Sequence, residues 1–221
     1  MLQQRHEMYR PIHKALRHML YTTSRSLGIA DFREDGVAGE AVGDLERTIT
    51  LQEAHAIHEE KHVHPQIKSK APDVVASLEK DHPNDNKVYA ELKLLSQEAG
   101  NATGDQKAAL GGEIYEKYNE FAGEYLGHMV LEEGDMQQVL WDNFTDDELG
   151  AIEGALMADV PPELMAQFLP EICGGLNPDE LSFMLGGLKA VAPPEMFAVV
   201  VQMAEQATLP QNWEKVKARI A

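Results

Sequence analysis

The sequence predicts an all-α protein: an antiparallel four-helix bundle followed by a smaller helical module. Three observations carry that expectation. Period-two alternation of Val, Ile and aromatic residues is almost absent, so strands are not expected. Proline and glycine divide the N-terminal two-thirds into four long segments joined by modest connections, the pattern of a bundle. The C-terminal third repeats itself at helical-hairpin length.

Taken in order, residues 11–27 (PIHKALRHMLYTTSRSL) read as the first helix. Pro11 suits a first turn, where its missing N–H costs nothing, and Gly28 suits the position after the last turn. Gly36, Gly39 and Gly43 mark a loose connection. A second helix is expected over 44–64, with Pro65 near its end or at a kink. Pro72 opens a third, over 72–99, closed by Gly100. A fourth follows over 105–141, with Gly111–Gly112 as an early interruption.

The tail is built differently. TDDELGAIEGALMADVPPELMAQFL (145–169) aligns with NPDELSFMLGGLKAVAPPEMFAVVV (177–201) at an offset of 32 residues. Each copy reads as helix, Pro-Pro-Glu turn, helix, with Thr145 or Asn177 as the N-cap and the second proline opening the next helix. Two copies are fewer than the ~3 repeats that usually stand alone. Residues 1–144 are therefore expected to form the bundle, and residues 145–221 a module that packs on it or on a partner, with Trp213 as an anchor.

Composition narrows the function. The 221 residues carry 19 Lys+Arg against 37 Asp+Glu, a formal net charge of −18. That balance argues against nucleic-acid binding, which draws its affinity from clustered cations, and against an anionic membrane surface. No apolar run approaches the ~20 residues that span a bilayer. One cysteine, Cys173, excludes an intramolecular disulfide framework. A soluble, cytoplasmic protein is expected. No G-x-S-x-G elbow, P-loop or dinucleotide fingerprint is present, so a conventional enzyme is not expected.

Histidine is distributed unevenly. All nine lie in the first 128 residues. The acidic excess is shared, at −10 for residues 1–145 and −8 for residues 146–221, so the skew does not follow general polarity. Within it stand two His-x-x-x-Glu units, His55/Glu59 and His128/Glu132. A spacing of four puts both side chains on one helix face, one turn apart, as a metal-ligand pair requires. His13 on the first helix and His82 on the third complete a set of four imidazoles and two carboxylates from four helices. That inventory suits two metal ions, and mixed N/O donors in a bundle core are the chemistry of di-iron and di-manganese proteins. His58, His62 and His64 read as solvated groups or as neighbours of the ligands.

The stretches PIHKALRHML, HAIHEEKHVHP, LEKDH and EYLGHMVLEE resemble successive helix motifs of hemerythrin-like (HHE cation-binding) domains, over roughly residues 8–149. The resemblance implies a four-helix bundle around two iron ions with an oxo or hydroxo bridge, zinc or manganese being possible substitutes. His13, His55, His82 and His128 would be terminal ligands, and Glu59 and Glu132 the bridging carboxylates. Oxygen-carrying members place another His four residues before the third-helix ligand; Leu78 stands there, and either Glu79, one turn before His82, or a water would fill the place. The set is closer to the iron-centre repair proteins of the same superfamily.

The expected function is a dinuclear metal protein that binds or senses O₂, nitric oxide, peroxide or iron at an open coordination position, with redox or peroxide- and NO-handling activity in reach. The alternative is a metal-stabilised interaction module whose residues 145–221 mediate homodimerisation or partner binding.

Overall fold

The computed structural model describes residues 5–73 and 82–220, the side chains of 82–86 excepted. Every regular element among them is helical: α1 (Arg10–Ile29), α2 (Asp35–His62), α3 (His64–Lys68), α4 (His82–Asn101), α5 (Gly104–Leu131), a π-helical turn (Glu132–Met136), α6 (Gln137–Asn143), α7 (Asp146–Asp159), α8 (Pro162–Gly175), α9 (Pro178–Val191), α10 (Pro194–Ala207) and α11 (Pro210–Ile220). No helix among the described residues is long and apolar enough to cross a membrane.

Several boundaries differ from the sequence reading. Helix α2 begins at Asp35, so the expected glycine-marked connection is helical. Ala38, Ala41 and Leu45 recur on one face and are buried. A Cβ at Gly36, Gly39 or Gly43 would meet nothing within 4 Å. Packing of the alanine–leucine stripe outweighs a helix penalty of ~1 kcal/mol per glycine. Gly28 lies inside α1, not beyond it. Gly111 and Gly112 do not interrupt α5: a Cβ at Gly111 would lie 2.4 Å from the Phe32 ring, so this glycine makes room for a buried aromatic from the α1–α2 connection. The irregularity in that long helix falls instead at Glu132–Met136. Pro65 opens the short α3 after a one-residue break at Val63. Of the third predicted helix, residues 74–81 lie outside the described residues, and Leu78 and Glu79 with them.

The chain forms two compact units, and α1 contributes to both. Unit 1 comprises residues 1–9 and 19–159. The second half of α1 is tied there by Thr23 to Thr48 (2.8 Å), by Ser24 to Asn119 (2.6 Å) and by the Tyr118 hydroxyl, which donates to the Leu20 carbonyl at 3.2 Å. One core cluster joins Tyr9, Val63, Ile67, Met136, Leu140 and Leu149, so α7 packs on the end of the long helix and on α3. The N-terminal strap is held by Arg5. Its guanidinium donates to the Trp141 and Phe144 carbonyls (2.6 and 2.7 Å) and to Asp146, satisfying carbonyls at the end of α6.

Unit 2 comprises residues 10–18 and 160–221. Its core gathers Cys173, Leu181, Leu185, Val200, Ala204, Trp213 and Val216. Asn177 and Glu180 form a capping box at the start of α9; Thr145 and Glu148 exchange the same bonds before α7. The prolines at 162 and 194 both fall in the first turn of their helices. Gly175 lies against the backbone of α1, where a Cβ would sit 2.7 Å from the Lys14 carbonyl oxygen.

Candidate metal centre

Helix α2 presents Thr48, Gln52, His55 and Glu59 to the interior, all buried. The steps of four, three and four keep them on one stripe. The long helix presents Tyr118, Tyr125, His128 and Glu132 in the same manner. The two His-x-x-x-Glu units have matching geometry: His55 Nε2 lies 3.2 Å from Glu59 Oε1, and His128 Nε2 lies 3.2 Å from Glu132 Oε1. Two donors bound to one ion at ~2.1 Å stand ~3 Å apart, so the spacing suits shared coordination.

Four side chains converge: His13, His55, Glu59 and Glu132 each offer a ligand atom within 4.8 Å of those of the other three, and all four are buried. His13 arrives on α1, a helix without a break from Arg10 to Ile29. His128 is also buried and stacks on Tyr125, with ring centroids 5.9 Å apart. It adjoins the group through Glu132. His82 is the first described residue of α4, but its side chain, like Glu79, lies outside the described residues.

The electrostatics favour a cation. Glu59 is 3 % exposed and Glu132 0 %. Burial, then the charge of Glu132 and a hydrogen bond with it, push the Glu59 carboxyl well above its ordinary range. Two ionised carboxylates so placed are costly unless a positive charge lies between them. Imidazole and carboxylate donors of this kind fit iron, manganese or zinc.

Sequence reasoning missed three features of this region. The first is the π-helical turn that starts at Glu132. It adds a residue to the helix where the candidate ligand sits, and such turns are frequent at functional sites. Gly134 was its one visible signal. The second is Gln52, which is 0 % exposed and whose amide N and O make no hydrogen bond among the described residues. Its place one turn before His55 was readable; its burial was not. The third is how Tyr9 is held. The strap's Met8 amide donates to Gln137 (2.9 Å), and the Trp141 indole donates to the His6 carbonyl (2.8 Å). Tyr9 is thereby buried, and desolvation followed by the charges of Glu59 and Glu132 raises its phenol well above the ordinary value. His64, read as solvated or a neighbour of the ligands, is 2 % exposed.

No protein-family model, curated protein or solved structure matches the chain.

Proposed function

We propose that this chain is a non-haem dinuclear metal protein, with iron as the expected metal, of the hemerythrin-like class that its helix motifs resemble. The observation that carries the reading is the buried meeting of His13, His55, Glu59 and Glu132 within 4.8 Å. In this reading the carboxylates of Glu59 and Glu132 and the imidazoles of His13, His55, His82 and His128 would hold the two ions. A bound iron pair supplies redox change and an open position for O₂, nitric oxide or peroxide.

The chain's own residues have separable tasks. The two carboxylates neutralise the ions and, through the i,i+4 spacing, hold each imidazole in register. The apolar cluster around Tyr9, Ile67 and Met136 excludes water from one side. The Tyr9 phenol keeps its proton beside the carboxylates, because burial and both negative charges oppose its ionisation.

Elemental analysis and an optical spectrum of freshly purified protein test the reading. About two irons per chain are expected, with near-ultraviolet absorption that dithionite removes and air restores. Fewer than one metal per chain after growth in iron-rich medium sinks it. His55→Ala and Glu132→Ala are each expected to lower metal content and melting temperature together, since lost binding free energy is lost stability.

A second reading, an interaction module working through residues 145–221, draws support from Phe183 and Val191, which are 86 % and 82 % exposed. Sedimentation of wild type against Phe183→Glu tests it: self-association that the variant abolishes favours this reading, and a monomer in both cases removes its homodimer form.

A further inference from the structure

Glu59 and Glu132 are closed off from solvent, so an ion reaches them only when part of the fold moves. The segment best placed to move is the N-terminal strap, residues 5–9, which leads into α1. We propose that this strap is a gate: it swings off α6 as one piece, lifts Tyr9 from the carboxylates and admits metal ions to the buried centre. The proposal rests on the dinuclear reading above and adds to it the route of loading.

Three features support it. The first is position. Tyr9 shares a core cluster with Val63 and Met136, each of which stands four residues beyond one of the two carboxylates. Glu59 and Glu132 are both near enough for their charge to act on the phenol. This side chain, 1 % exposed, therefore covers the carboxylate end of the centre.

The second feature is the way the strap is held. Besides the bonds from Arg5 and from the Met8 amide, the His6 amide donates to Asp146 at 3.2 Å. The His6 carbonyl accepts from Gln137 at 3.3 Å and from Trp141 at 2.8 Å. These bonds all end on residues 137–146, and each uses at least one side chain. No helix or sheet ladder has to break when they part, which is the mark of a segment that opens locally. At its other end the strap meets the first turn of α1, where amides have no helical partner and Pro11 has no N–H. A hinge there costs the helix nothing. The third feature is charge. Asp146 Oδ1 pairs with Arg5 at 3.0 Å, and Glu153 Oε2 lies 3.1 Å from His6 Nε2. Opening uncovers both carboxylates at the mouth, where they draw a cation inward.

The test follows uptake of Co²⁺, a coloured probe of imidazole and carboxylate sites, by the metal-free full-length protein in stopped flow. Amide hydrogen exchange of residues 5–9 is measured beside it. The Arg5 bonds are charge-assisted, so Arg5→Ala is expected to raise the open population, and with it the uptake rate, about tenfold. The final Co²⁺ count per chain stays the same. Strap amides exchange faster in this variant, while those of α2 do not change. Trp141→Phe removes one bond to His6 and keeps an aromatic ring, so it gives a smaller acceleration in the same direction. It also keeps the test open if Arg5→Ala fails to fold. An unchanged uptake rate, or a faster one without faster strap exchange, overturns the gate. A wild-type chain that takes up no Co²⁺ overturns the dinuclear reading and the gate together, so the two failures are told apart.

Discussion

Glu59 shows how burial turns a carboxyl into a stability switch. In the metal-free folded chain its proton is held well above the ordinary value of 4.5, first by desolvation and then by Glu132. In the unfolded chain the proton leaves near 4.5. Between those values the folded state binds more protons than the unfolded one, so stability falls as pH rises. The metal-free protein is therefore expected to melt at progressively lower temperature as pH is raised from about 4.5, and Glu59→Gln is expected to flatten that dependence. Thermal melts of the chelated protein across pH check this, and an unchanged slope in the variant contradicts it. Gln52 makes a second residue-scale case. A buried amide without hydrogen bonds costs ~1–3 kcal/mol, so Gln52→Leu, close in volume, is expected to stabilise the metal-free chain by about 1 kcal/mol in denaturant titration. At this scale the sequence was partly legible. The two His-x-x-x-Glu units could be picked out because i,i+4 is a local rule, whereas nothing local distinguishes Gln52 from an exposed glutamine.

Elements were legible where caps and prolines mark them, and less so where packing overrides propensity. The starts of α8 and α10 coincide with the second proline of each Pro-Pro-Glu turn because a proline ring is pre-set for a first helical turn. The glycines at 36, 39 and 43 misled, since buried Ala38, Ala41 and Leu45 stabilise α2 there. The π-helical turn is the element most relevant to the site. A π-turn takes up one extra residue, so deleting Gly134 is expected to restore a regular α-helix while Met136 and Leu140 keep the face they share with Tyr9. The wide turn at Glu132 is lost, so metal content is expected to fall while circular dichroism stays helical. Unchanged metal content would separate the turn from the site.

At the scale of the whole molecule, α1 belongs to two compact units, and its first half carries His13. That half packs within unit 2, where Lys14 pairs with Glu180 and Glu171 holds His18 at 3.0 Å. Gly175 permits the close approach, and Gly175→Ala places a Cβ 2.7 Å from backbone that cannot swing away. A destabilisation of ~1–3 kcal/mol is expected, typical of overpacking, and denaturant titration reads it.

By itself the sequence determined the helical character of the chain, the capped starts of α7 and α9, the 32-residue recurrence in the tail and the one-turn spacing of each His–Glu pair. These follow from rules that act over a few residues, and such rules can be read from residue order alone. Only the tertiary structure decided that His13 meets His55, Glu59 and Glu132, that Tyr9 is carried to the carboxylates by a strap bound at Trp141, and that Asp159 closes on His58 and His62. Those meetings join residues about 40 to 140 positions apart. They depend on how apolar faces pack against one another, and burial then raises the energetic stakes of each charge so gathered.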